Sequence, residues 1–458
     1  MSGIQPKAGL IDAQSAGLAA APFDYEGVQR EWWKQFGDPQ LDRLVDLGLT
    51  RSPTIKLAQA RLDHARAQTQ AAGAGLGPRL EGQLDATRQR YTENGMVPAP
   101  IAGSVRDNGT AQLSASWEID FFGRQRSLLD AAIGSERAAR ADAQAARILL
   151  ATSITRRYVN LARLENQLRL AQRTLAQRTE TLDLVRDRVA AGLDTQLELR
   201  QSEGGLPESR QQIESLHEQI ALERNALAAL AGQPRIASTI AATRLDKQAV
   251  LSAPRAVPVD LVGRRADIVA ARWRVEAAGR DIEHAKTRFY PDVNITAFAG
   301  FASLGFGQLF EGASRQWGIG PAIRLPIFES GRLRAGLKSS TADYDAAVEQ
   351  YNGTLIDAVH QVSDCLVSLE AIERQRTEQA MAQAAAENAY DIARERFKAG
   401  LANYLQVLAA ETQVLAQRRL SVDLAARELD VQAQLARALG GGYADADADV
   451  ASKTPPAG

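Results

Sequence analysis

Cysteine is nearly absent: Cys365 is the only one among 458 residues, which excludes a disulfide framework and any multi-cysteine zinc or iron–sulfur site within one chain. Neither sign of charge is in excess. Lys plus Arg number 54 against 55 Asp plus Glu, so there is no basic footprint, and no nucleic-acid partner is expected. No run of about 18 apolar residues occurs, which excludes a membrane-spanning helix, and the N-terminus lacks the charged-then-apolar pattern of a secretory signal. The four histidines, His64, His217, His284 and His360, have no spacing that suits a metal. No glycine-rich phosphate loop or nucleophile elbow is present, so neither a cofactor nor catalysis is expected. What remains is a chain with 45% hydrophobic residues, enough for a large core. Two classes stay open, a soluble protein or a membrane β-barrel whose export signal lies outside this sequence.

The chain reads as a duplication. Gly123-Arg124 recurs as Gly331-Arg332, Gly192-Leu193 as Gly400-Leu401, and Gly232 as Gly440, each pair 208 residues apart. Upstream, Pro78 matches Pro291 and Ile55 matches Ile268, 213 residues apart. The five-residue change falls between Pro78 and Gly123, in a stretch rich in Gly, Pro and Asn that reads as a variable loop.

Each copy has the same order of parts. Asp38-Pro39 and Ser52-Pro53 are N-cap and N1-proline pairs that start two helices. After them the period changes from 3.6 to 2: Ala111, Leu113, Ala115, Trp117, Ile119 and Phe121 alternate with Gln112, Ser114, Ser116, Glu118 and Asp120, the pattern of a half-buried strand. Val293, Ile295, Ala297, Ala299 and Phe301 form a similar row in the second copy, and Trp317, Ile319, Ile323, Leu325 and Ile327 another. Then comes a long stretch in which Ile154, Leu161, Leu168, Leu175, Leu182 and Val189 recur every seventh residue, as in a left-handed coiled coil. The chain turns at Gly192 and returns through Ile213, Ile220 and Leu227.

The fold class is therefore mixed and mainly α, a duplicated unit of long antiparallel coiled-coil helices plus two β-hairpins. An extended N-terminal segment occupies 1–38. The first repeat, 39–232, holds helices over 39–72, strands near 78–91 and 110–121, a long helix 123–191 and a return helix 193–231. A connector follows at 233–257. The second repeat, 258–440, holds a helix 259–288, strands near 291–302 and 315–328, a long helix 331–399 and a return helix 401–439. The tail 441–458, with Asp445, Asp447 and Asp449, reads as disordered.

Strands of about ten alternating residues match a hydrocarbon core crossed at a tilt. Two hairpins do not close a barrel alone, since the smallest single-chain barrels use about eight strands. Closure needs several chains, with the row from Gln112 to Asp120 facing a watery lumen and the Trp117 row facing outer-membrane lipid. A soluble coiled-coil scaffold is the competing reading. The order of parts favours the barrel, because strand hairpins set between long coiled-coil segments, twice in one frame, pack poorly as a globule.

Several motifs carry a further resemblance: Trp32-Trp33 with Phe36-Gly37-Asp38-Pro39-Gln40-Leu41, Trp117-Glu118-Ile119-Asp120-Phe121-Phe122-Gly123-Arg124, Pro326-Ile327-Phe328 with Gly331-Arg332, Ala399-Gly400-Leu401 with Tyr404-Leu405, and Ala438-Leu439-Gly440-Gly441-Gly442. Over nearly its whole length the chain resembles the TolC-like outer membrane efflux proteins, particularly the lipoprotein-type channels that serve resistance-nodulation-division pumps. The resemblance implies a homotrimer whose twelve-stranded barrel joins an α-helical periplasmic tunnel. It implies as partners a periplasmic adaptor protein and an inner membrane transporter, with a type I protein-secretion duct as the alternative. It implies a lipid on an N-terminal cysteine, which this sequence lacks.

The resemblance also places function at the helix turns. Val189, Ala190, Ala191, Gly192, Leu193, Lys398, Ala399, Gly400 and Leu401 correspond to adaptor-docking tips, and the glycines suit tight helix ends. Tyr404, Leu405 and Gln406 correspond to the constriction, where a ring of three leucines would narrow and dewet the pore. The family's aspartate ring has no counterpart here, since Gln406 and Ala409 stand in its place and Ala402 replaces the arginine partner. Glu411, or Glu198 and Glu203, is the candidate for an acidic lining. Gly204-Gly205-Leu206-Pro207 is expected to interrupt the first return helix, because an interior proline costs about 3 kcal/mol. Cys365, on an apolar helical face, is expected to be a small buried side chain.

Overall fold

A computed structural model describes residues 5–10, 28–242 and 261–443. The expected disordered tail beyond 443, much of the connector, and most of the N-terminal segment lie outside the described residues. In chain order the elements are α1 (Pro39–Arg51), α2 (Pro53–Ala74), β1 (Arg79–Arg90), β2 (Val105–Glu118), α3 (Arg124–Ala190), α4 (Gln196–Leu230), α5 (Leu261–Arg264), α6 (Ala266–Thr287), β3 (Asp292–Leu304), β4 (Arg315–Arg324), α7 (Ser330–Lys398) and α8 (Tyr404–Ala438). The fold is mainly α with one small antiparallel sheet. No described helix is long and apolar enough to cross a membrane.

Two compact units are present, and neither follows a repeat boundary. One comprises Met1–Leu10, Arg61–Ala139 and Ala271–Tyr351; the other comprises Ile11–Ala60, Arg140–Ala270 and Asn352–Gly458. Each takes matching segments from both copies, so a single copy does not hold a complete core.

The first unit contains the sheet, in the order β1-β2-β3-β4. Its hairpins share one register under the repeat: Arg79 faces Ser116 as Asp292 faces Arg324. One face carries Leu80, Leu84, Leu113, Trp317, Ile319 and Ile323, which stay 56 to 78% exposed. Gln83, Gln112, Ser114, Thr296 and Gln316 lie on the opposite face. There, Gln316 Nε2 donates to Gln112 Oε1 across β3 at 2.9 Å, over Gly300, the residue that separates them in the register. A Cβ on Gly300 would stand 2.2 Å from the Ala111 carbonyl oxygen, so any side chain there forces the strands apart. Phe298 and Leu304 are apolar exceptions on this face, and the Phe298 ring lies over Gly318, where a Cβ would approach it to 2.7 Å.

Strand ends depart from expectation for reasons of pairing. β2 starts at Val105 rather than near 110: Arg106, Asp107, Asn108 and Gly109 read as a turn, but the ladder to β1 continues to Arg90↔Val105. β4 ends at Arg324 rather than near 328 because its partner strand begins at Asp292. Leu325 and Ile327 therefore lie beyond the strand and are 52% and 75% exposed.

The second unit is built on the buried cluster of Trp32, Phe36, Leu41, Ile154, Leu161 and Leu227 with their neighbours. Asp38 caps α1 through Gln40 N–H at 3.0 Å and accepts a 2.6 Å bond from the Tyr158 hydroxyl. Of the heptad residues, Ile154, Leu161, Leu182, Ile213, Ile220 and Leu227 are buried, as is Cys365, whereas Leu168, Leu175 and Val189 are half-buried. Burial pushes the Cys365 thiol up to about 11, so it stays protonated and inert at neutral pH.

The single helix expected over 259–288 is broken at Arg265. Arg265 is 3% exposed; it pairs with both Asp267 oxygens at 3.0 and 2.6 Å and donates to the Ala438 carbonyl at 3.2 Å. The break occupies the repeat position of Ser52, between α1 and α2, without a proline to mark it.

Candidate functional site at the helix turns

Both helix hairpins of the second unit close with the same turn. At the end of α3, Gly192 has φ 71, its N–H donates to the Val189 carbonyl at 3.0 Å, and Leu193 N–H donates to the Arg188 carbonyl at 2.9 Å. At the end of α7, Gly400 has φ 73, with bonds to Phe397 at 3.0 Å and from Leu401 to Arg396 at 2.8 Å. This is the Schellman closure that glycine favours, because other residues reach positive φ only under strain.

The return helices begin three residues later than the expected 193 and 401. Thr195 and Glu198 form a capping box ahead of α4, and Asn403 accepts from Gln406 N–H at 3.2 Å ahead of α8. The Thr-x-x-Glu pattern was the available signal. Leu193 and Leu401 therefore stand in the turns, 67% and 70% exposed. Ala190, Ala191, Gly192, Lys398, Ala399 and Gly400 are also exposed, and Val189 is half-buried.

A side chain absent from the expected set joins the two turns. Arg188 holds both oxygens of Asp194, at 2.8 and 3.2 Å, and donates from Nη1 to the Phe397 carbonyl at 3.2 Å. Its guanidinium lies 4.6 Å from the centre of the Phe397 ring, a cation–π contact. The Asp194 hydrogen bonds raise its pKa above the usual arginine value. The first hairpin thus satisfies a carbonyl at the end of the second. The repeat hides this: the positions matching Asp194 and Val189 in the second copy are Ala402 and Phe397, so the clasp has no duplicate.

Tyr404 and Leu405 point to different environments. Tyr404 is 5% exposed and packs with Val185, Tyr390, Phe397, Val407 and Val414, where burial raises its hydroxyl pKa. Leu405 is 44% exposed and Gln406 is exposed beside it.

Glu411 does not provide a free acidic lining. Its side chain is 9% exposed, against Arg178 at 3.1 Å. Burial raises the Glu411 carboxyl above the ordinary range, with Arg178 opposing the shift. Glu198 is held by the Thr195 cap, and Glu203 by Arg200 at 2.9 Å. Nor does Pro207 interrupt the return helix: α4 runs unbroken through it. Nearby, the Gly205 carbonyl accepts from Arg178 Nη1 at 3.0 Å and from the Ser209 hydroxyl at 2.8 Å, side-chain bonds that support the backbone around the proline. Among the described residues no group of acidic, histidine or cysteine side chains suits a metal.

Known proteins resemble the chain over most of its length. The model of a family described as outer membrane efflux protein matches twice, over residues 44–233 and 257–441, one match to each repeat. The fusaric acid resistance protein FusA of Burkholderia cepacia is 36% identical over 340 residues, which cover 73% of this chain and 64% of FusA. The pyoverdine export outer membrane protein OpmQ of Pseudomonas putida is 31% identical, with 96% of this chain and 93% of OpmQ covered. Among solved structures, the outer membrane protein VceC of Vibrio cholerae aligns with a TM-score of 0.85 at 36% identity, covering 91% of this chain and 99% of VceC.

Proposed function

The chain belongs to the outer membrane efflux protein family, and from that premise we propose that three copies form a passive duct carrying drugs or other small toxic compounds from periplasm to exterior. One observation supports this above the rest: a sheet with an uncovered apolar face and a polar reverse. A soluble scaffold would leave that apolar face in water, whereas a barrel wall sets it in lipid and turns the polar face to the lumen.

The turns around Gly192 and Gly400 dock a periplasmic adaptor, which an inner membrane transporter accompanies. Their exposed leucines, Leu193 and Leu401, suit an apolar groove on that partner. Leu405, with Gln406 beside it, forms the constriction where three copies meet, and buried Tyr404 sets the angle of that turn from behind. No position in this arrangement needs a substrate-shaped pocket, so choice of cargo rests with the transporter.

Planar-bilayer conductance tests this reading. Leu405→Ser replaces a ring of apolar side chains by hydroxyls and should raise conductance about twofold or more through easier wetting. Unchanged conductance would remove Leu405 from the constriction. No channels from either protein would sink the duct itself.

A further inference from the structure

The repeat specifies more than the presence of a neighbour. The two hairpins pair in the same register, with β1 and β3 related by 213 residues and β2 and β4 by 208. The five-residue difference lies in the loop between β1 and β2, outside the strands. The β2–β3 ladder is the junction where one copy of the repeat meets the next. β1 and β4 are the free edges of the sheet. If a second chain continues the repeat, its β1 must meet β4 as β3 meets β2.

We propose that β4 pairs antiparallel with β1 of a second copy in the register that the β2–β3 ladder dictates. This rests on the trimeric duct reading and adds its residue-level contacts. Ala115↔Ala297 then translates to Ile323 facing Leu84 of the partner subunit, and Ser114↔Phe298 translates to Ala322 facing Asp85 of the partner subunit. The 2.9 Å bond from Ile119 N–H to the Val293 carbonyl becomes one from Ile327 N–H to the carbonyl of Leu80 of the partner subunit. That accounts for the apolar residues left beyond β4: Leu325 and Ile327 have no facing residue on β3, but each gains one on the neighbour.

Two features of the sequence agree with this register without having been used to derive it, and the exposure of β1 agrees with pairing at that edge. Side-chain faces match, since Ile323 and Ile327 meet leucines, whereas a one-residue slip would set them against charged or amide side chains. Charge matches as well: Arg324 lies on the polar face, diagonal to Glu81 of the partner subunit on one side and to Asp85 of the partner subunit on the other. β1, every residue of which is exposed, becomes covered along one edge, which removes a liability of free strands. One bond is missing. Ile119 directs the N–H groups of odd-numbered β2 residues toward β3, so by the repeat Pro321 stands where an N–H would face the neighbour, and the ladder has one gap there.

Paired cysteines test the register. Ala322→Cys with Asp85→Cys places two thiols at a non-hydrogen-bonded pair, where the Cα separation is about 4.5 Å, inside the range a disulfide spans. Mild oxidation of the full-length trimer in detergent should yield a three-chain species that persists in denaturant without reductant. The yield should exceed that of Ala322→Cys with Gln83→Cys, or with Thr87→Cys, by about tenfold, since those pairs are offset by two residues. Gly320→Cys with Thr87→Cys is a second in-register pair, in case the first disturbs assembly. Cys365 stays silent because it is buried. Preferential crosslinking of an offset pair, in protein that still conducts, would overturn the register while leaving the duct intact. Absence of both channels and crosslinks in all four proteins would overturn the two together.

Discussion

Arg188→Met is expected to loosen both helix turns at once. The substitution keeps much of the aliphatic stem but leaves the Asp194 carboxylate, whose side chain is 7% exposed, without its cation, and the Phe397 carbonyl without its side-chain donor. Breaking a largely buried pair from one side costs about 2–4 kcal/mol, most of it the desolvation of the charge left behind. That cost falls on local opening of the turns, beside the glycine closures and the Thr195 and Asn403 caps that the substitution leaves in place. Amide hydrogen exchange over 191–195 and 399–403 should then accelerate by about 30- to 1000-fold, the same free energy expressed as an opening equilibrium. Arg186→Met is the control. Its side chain is 53% exposed and bridges Asp183 one turn back and, at 4.0 Å, Glu203 on α4, exposed pairs worth under about 1 kcal/mol each. Equal exchange rates in the two variants would show that Arg188 does not clasp the turns.

Gly440→Ala is expected to be the most damaging single methyl in the second unit. Gly440 has φ 101, and a Cβ there would stand 1.7 Å from the Arg264 carbonyl oxygen and 2.6 Å from its carbon. Both clashing atoms are backbone, so no rotamer change relieves them. Positive φ adds about 1–2 kcal/mol and forced displacement of packed backbone about 1–3 kcal/mol more. The expected loss is therefore about 2–5 kcal/mol, read as a large fall in the thermal midpoint of the detergent-solubilised protein and in its folded yield. Gly263→Ala supplies the comparison: a Cβ there meets nothing within 4 Å, and its stability should stay within about 0.5 kcal/mol of wild type. Similar midpoints for both would mean that the end of α8 can shift away from Arg264 at little cost. The neighbouring glycines follow the same rule, for a Cβ on Gly442 would lie 2.4 Å from the Arg30 Cα. The closing Gly440-Gly441-Gly442 run is thus a place where backbone packs on backbone.

How far the chain could be read from its residues differs by feature. The alternation around Trp117 located β2, yet its start was hidden because Arg106 to Gly109 join the strand through the ladder to β1 and not through any pattern of their own. The glycines at 192 and 400 marked both turns, since a left-handed residue is a local requirement. Tyr404 and Leu405 are adjacent and looked alike as constriction residues, but one is buried with Phe397 and the other is exposed. Their separation depends on which way α8 is rotated.

The sequence by itself determined the duplication, the kinds of element, their order and the two glycine turns. These follow from periodicity, from the φ that glycine allows and from caps that reach only a few residues along the chain. Tertiary structure alone decided the clasp from Arg188 to Phe397, the enclosure of Glu411 by Arg178, the break at Arg265 and the closeness of Gly440 to Arg264. Each joins positions far more than a hundred residues apart, often at points where the two repeats differ. Their energies come from burying a charge, a carbonyl or a bare backbone against a particular partner, and no local pattern records which partner that will be.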